Sequence, residues 1–93
     1  MTTFRDEFPD FDPATMPAVP AEWSDISWHN DACPSFDAGN DMVVFVDYAD
    51  QSLREFPDSE RFTVSDGDFL LATNDWSEVL AFCANVKDTI CTP

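Results

Sequence analysis

Glycine and positive charge are both scarce in this 93-residue chain: there are two glycines and four basic residues. With glycine only at Gly39 and Gly67, no glycine-rich loop can cradle a phosphate, which excludes the P-loop and the dinucleotide fingerprint. Asp66-Gly67-Asp68 is too short for a calcium-binding EF-hand loop. Nucleophile-elbow and zinc-protease-helix motifs are missing as well. The basic residues are Arg5, Arg54, Arg61 and Lys87, so nucleic acid and anionic membrane surfaces are poor direct partners. No apolar run approaches the roughly 18 residues that a membrane span needs. Asp6, Glu7, Asp10 and Asp12 stand where a signal peptide carries bases and an apolar stretch, so a cytoplasmic location is expected. The cysteines Cys33, Cys83 and Cys91 are odd in number and lack framework spacing, which in a reducing compartment predicts free thiols.

What the chain does have is acid and aromatic surface. Nineteen acids, 14 Asp and five Glu, set a formal net charge of −15. Residues 1–46 contribute −8 and residues 47–93 contribute −7, so the acidity is distributed and not a tail. Nine Phe and three Trp supply enough burial for one folded domain. Charge of one sign on this scale opposes compaction, so it either serves a purpose, with a positively charged protein surface as its natural complement, or is an adaptation to salt.

The chain divides into a Pro-rich N-terminal arm, residues 1–22, and a single α+β domain, residues 23–93. Pro9, Pro13, Pro17 and Pro20 give the arm an extended, turn-like character. Phe4, Phe8 and Phe11 stand at helical spacing, but Pro9 argues against a helix; either the rings pin the arm across a sheet edge, the more ordinary reading, or the arm is an acidic-aromatic recognition segment. Alternation over residues 23–29 predicts a strand with Ile26 and Trp28 facing inward. A polar loop is expected from Asn30 to Asp41. Residues 42–48 form the strongest strand pattern, apolar on both faces at its start and therefore central. A charged connection follows from Ala49 to Ser59, with a helical turn before Pro57. Residues 61–65 and 69–73 flank Asp66-Gly67-Asp68 as a β-hairpin. Asp75 and Glu78 open a helix over 75–90 whose apolar face runs through Trp76, Val79, Leu80, Cys83, Val86 and Ile90. The expected fold is a small antiparallel sheet of three or four strands packed against one C-terminal helix.

Catalytic chemistry finds little footing. His29, Asp31 and Cys33 make a metal corner without a second paired spacing, and a His29–Cys33 nucleophile pair is weaker still, so no metal, cofactor or enzyme activity is expected. Carboxylate pairs among 19 acids arise by chance. Pro17-Ala18-Val19-Pro20 has the spacing of a proline-rich ligand but no adjacent Arg, and reads as a spacer. The acids gather most densely after the central strand, at Asp47, Asp50, Glu55, Asp58 and Glu60, relieved only by Arg54. With Asp66 and Asp68 at the hairpin tip, these seven are the expected partner-binding residues.

In size, distributed acidity and lack of a catalytic motif, the chain resembles small phage- or plasmid-encoded acidic inhibitors of the anti-CRISPR and DNA-mimic type. Such inhibitors share no common sequence pattern, so no residue roles transfer. The resemblance implies an inhibitor, working in the host cytoplasm, that occupies the nucleic-acid groove of a CRISPR effector or another nucleic-acid-binding protein. The alternative is an antitoxin, immunity or other interaction module without mimicry.

Overall fold

The computed structural model describes the backbone of residues 3–91 and the side chains of residues 3–84. Its centre is a five-stranded antiparallel sheet: β1 (Ser24–Asp25), β2 (Ser35–Gly39), β3 (Met42–Val46), β4 (Phe62–Ser65) and β5 (Phe69–Thr73). The strands lie in sequence order, each paired with its neighbour, so the sheet is a meander with β3 in the middle. One helix, α2 (Trp76–Cys91), follows β5, and a single turn, α1 (Phe4–Glu7), precedes the sheet. The α+β class and the C-terminal helix are as the sequence predicts; the strand count is five, not three or four.

Alternation explains which face is buried. Met42, Val44 and Val46 of β3 are buried, while Val43 and Phe45 are half-buried on the other face. Register aligns Phe36, Val44, Val64 and Leu71 in one row across four strands, and Val46, Phe62 and Thr73 in another. Val79 and Cys83 of α2 join this face in a single core with Phe8 and Phe11 from the N-terminal segment. Helix and N-terminal segment thus cover one face of the sheet.

Three local expectations are corrected. The loop predicted for 30–41 contains β2, which closes onto β3 through Asn40 and Asp41, both at positive φ (54° and 64°), the combination a tight hairpin turn requires. Strand β1 has two residues instead of the predicted seven, and its inward phase is reversed. Ser27 is buried, whereas Ile26 is 45% and Trp28 52% exposed. The Ser27 hydroxyl accepts from the Ser35 amide at 3.1 Å and donates to the Ser35 carbonyl at 3.4 Å, so the inward position holds a satisfied polar group. Residues 3–22 are not a uniformly extended arm. Pro9 ends a helical turn at Phe8 without preventing it, and a 3-10 turn follows at Pro13–Thr15.

Within α2, Val79 and Cys83 are buried, and Trp76 packs against the core with its ring 5.0 Å from Phe62. Leu80, expected on the buried face, is only half-buried and stands outside the core. Val86 and Ile90 lie outside the described side chains. Val79→Ala is therefore expected to cost about 1.5–2.5 kcal/mol in urea unfolding, and Leu80→Ala visibly less. Equal costs would show that the helix faces the sheet differently.

Candidate partner-binding surface

The connector from β3 to β4 spans residues 47–61 without a strand of its own. Two arginines and a tyrosine fix its ends. Tyr48 is buried against Phe11, ring centroids 5.2 Å apart, and its hydroxyl donates to Asp10 at 2.8 Å. Burial, then the Asp10 hydrogen bond, pushes the phenol well above its ordinary pKa, so it stays a donor. Arg54 is buried, and its guanidinium donates to the carbonyls of Tyr48 (2.7 Å), Ser59 (2.8 Å) and Ala49 (3.4 Å). It ties the start of the connector to its end. Arg61 donates to the carbonyls of Asp47 (3.1 Å) and Thr15 (2.7 Å) and lies 5.1 Å over the Phe62 ring. Two of the four cations are thus engaged with backbone carbonyls.

The connector's outer surface combines acids with exposed apolar groups. Leu53 is 51% and Phe56 68% exposed, beside exposed Asp50, Glu55, Asp58 and Glu60. Asp50 accepts from the Ser52 amide (2.9 Å) and hydroxyl (2.7 Å), holding the 3-10 turn Gln51–Leu53, and those bonds lower its pKa. Glu60 accepts from Asn74 at 2.7 Å. Glu55 and Asp58 make no hydrogen bond among the described residues, so their carboxylates are free for a partner.

Asp47 differs from the others. It is half-buried, its carboxylate accepts the Tyr48 amide at 2.8 Å, and desolvation raises its pKa despite the favourable charges of Arg54 and Arg61. An acid whose folded pKa lies above its unfolded value weakens the fold once it ionises, with the loss growing as pH rises through that interval. Asp47→Asn keeps an oxygen for the Tyr48 amide. It is expected to raise the melting temperature at pH 7, with the gain shrinking as pH falls toward 4. A drop at pH 7 would show that the charge itself is needed.

The seven expected acids belong to the two ends of the β3–β4 pair. Asp47, Asp50, Glu55, Asp58 and Glu60 share the connector at the Val46–Phe62 end of the sheet, whereas Asp66 and Asp68 lie beyond the Val43–Ser65 pair at the opposite end. About 10 Å of paired strand separates the two ends. The β2–β3 turn lies at that second end too, so Asp37 and Asp41, not singled out by sequence density, share it with Asp66 and Asp68.

Many aspartates also have local duties. Asp12, Asp37, Asp66 and Asp75 each accept a backbone amide two residues on, as cap and turn residues do. The one contact between a carboxylate and a basic side chain among the described residues joins Glu7 to His29 Nδ1 at 2.9 Å; Glu7 also accepts the His29 amide, and the two bonds lower its pKa. Cys33 is buried, and desolvation, reinforced by Asp47, Asp31 and Glu55, pushes its thiol up to about 12. Burial raises Cys83 likewise, so both thiols are held in the unreactive protonated form. No group of three His, Cys, Asp or Glu side chains among the described residues is placed to hold a metal ion. No helix there is long and apolar enough to cross a membrane. A cleft of about 310 Å³ between Trp23, β2 and α2 presents Glu22 and the buried Cys83 thiol as its ionisable groups. Compared with protein-family models, curated proteins and solved structures, the chain gives no significant match.

Proposed function

We propose that this is an acidic binding protein whose partner presents a positively charged surface, and that it inhibits a nucleic-acid-binding protein by imitating the charge of DNA or RNA. One observation carries the reading. Among the described residues no carboxylate pairs with an arginine; Glu7 meets the imidazole of His29, and Arg54 and Arg61 turn their donors onto backbone carbonyls. Most of the negative charge therefore faces solvent without compensation, which raises the local concentration of a basic partner and speeds its approach. The connector is the principal contact because Arg54 fixes its shape and Glu55 and Asp58 are unengaged. A CRISPR effector is one partner of this chemistry.

Association with such a partner is expected to slow as salt rises, since exposed charges are screened over about 8 Å at physiological ionic strength. Reversing Glu55→Lys and Asp58→Lys together removes no hydrogen bond of the fold. The pair is expected to slow association about tenfold or more while leaving the melting temperature nearly unchanged. Duplex DNA should compete for the partner. Surface plasmon resonance across a salt series, with and without DNA, measures all three.

A second reading is favoured by Leu53 and Phe56. An exposed apolar centre ringed by acids suits an immunity- or antitoxin-type contact, in which a few desolvated side chains carry the affinity. Salt-independent binding that is lost in Phe56→Ala and unaffected by DNA would establish this reading in place of mimicry.

A further inference from the structure

Strand β5 closes the sheet on one side, and among the described residues nothing pairs with its outer edge. Proteins usually protect an edge strand by shortening it, charging it, placing proline on it, bulging it along its length or covering it. The opposite edge meets that description. There β1 is two residues long, and the Asp25 carboxylate accepts the Phe4 amide at 2.8 Å and the Ser27 amide at 3.0 Å, fastening the N-terminal segment beside it. On β5, Phe69-Leu70-Leu71-Ala72-Thr73 contains no charge and no proline. Phe69 is 69% exposed, and Leu70, Leu71 and Ala72 are half-buried. Among the described residues, no backbone group of residues 69–72 bonds to anything beyond β4.

The one irregularity leaves the edge usable. A bulge opposite Val64 and Ser65 skips Leu70, which has no partner on β4, and pairing is regular from Leu71 to Thr73. Beyond the bulge, the edge offers the outward N–H and C=O groups of alternate residues to an added strand. Acids bracket it: exposed Asp66 and Asp68 at one end, exposed Asp75 and Glu78 at the other. Phe69 shares a cross-strand row with Ser65 and Val43, on the sheet face away from α2. An added strand would place a side chain beside this ring.

We propose that the β5 edge is a strand-addition site for an extended segment of a basic partner, with apolar or β-branched residues at its centre and Lys or Arg at both ends. The seven-residue interval from Asp68 to Asp75 sets the spacing of those cations at about 23 Å. The sign of the partner's charge rests on the acidic-binding reading above; the open edge does not. A second copy of this chain would bring another −15 to the same edge, so charge disfavours self-pairing.

The test is a nitrogen-15 NMR titration of the full chain at low salt with a seven-residue peptide of alternating Val and Thr, lysine at each end. A twin peptide of identical charge is N-methylated at every backbone amide, so that neither of its edges can donate. The unmodified peptide is expected to shift the amides of residues 69–73 saturably and to slow their hydrogen exchange. The methylated twin is expected to bind at least tenfold more weakly, because its bonds to the edge are gone. Equal binding by both peptides, with shifts on the connector, would overturn the edge site and leave the acidic reading standing. Equal binding of a glutamate-ended peptide at the edge would overturn the basic occupant and count against the acidic reading itself. A concentration-dependent dimer whose contact maps to residues 69–73 would replace the partner with a second copy.

Discussion

Phe11→Ala is expected to lower stability by about 3–5 kcal/mol in urea unfolding, a large part of what a chain this size has. The reason lies in packing. Phe11 is 2% exposed, meets Phe4 edge-to-face with centroids 5.6 Å apart, and leans on Tyr48 at 5.2 Å. Truncating it opens a cavity beneath the N-terminal segment and removes the ring that positions Tyr48, whose hydroxyl reaches back to Asp10. Both ends of that small network loosen together. Phe4→Ala, at a half-buried position, is expected to cost about 1–2 kcal/mol. A loss below about 1 kcal/mol for Phe11→Ala would mean that residues 3–22 lie on the domain without belonging to its core.

How far the sequence exposes this fold depends on how local the information is. The α2 pattern, the hairpin of β4 and β5 and the central β3 are written in contiguous periodicity, and each appears where that periodicity puts it. Strand β2 is short, Ser35–Gly39, and sits among turn residues that obscure its alternation; Gly39-Asn40 was the available hairpin signal. Strand β1 misleads because Ile26 and Trp28 are apolar yet exposed, while a hydrogen-bonded serine takes the inward place. Alternation records hydrophobicity, and this position is decided by a polar pair eight residues apart. Leu80 fails for a related reason: helical spacing marks a broad apolar stripe, and the sheet takes only the part holding Val79 and Cys83.

The candidate surface is less legible still. Acid density along the chain locates the connector, but it joins Asp66 and Asp68 to a patch from which the β3–β4 pairing separates them. Asp37 and Asp41 come to that end through β2, a strand the alternation did not reveal. Leu53 and Phe56 carry no periodic signal, because an irregular loop has no inside. Arg54 looks like a neutralising charge among acids when only the order of residues is known. Its actual partners are three carbonyl oxygens, which every residue possesses and no sequence distinguishes.

Arg54→Met preserves much of the buried stem and removes the guanidinium, leaving the carbonyls of Tyr48, Ala49 and Ser59 without their shared donor. Hydrogen bonds from a charged donor contribute more than neutral ones, and orphaned buried acceptors are costly, so a loss of about 3 kcal/mol is expected. Arg54→Lys should recover less than half, since an ammonium cannot span carbonyls at both ends of the connector. The functional consequence separates two ideas about the acidity. Arg54→Met makes the net charge one unit more negative than −15. If bulk charge alone recruits a basic partner, affinity should rise slightly. If the partner reads Glu55, Asp58 and Phe56 in a fixed arrangement, affinity should fall about tenfold or more, because the connector must be ordered again on binding. Titration at a temperature where the variant is still folded by circular dichroism decides between them, and a rise in affinity would remove the connector's geometry from the binding mechanism.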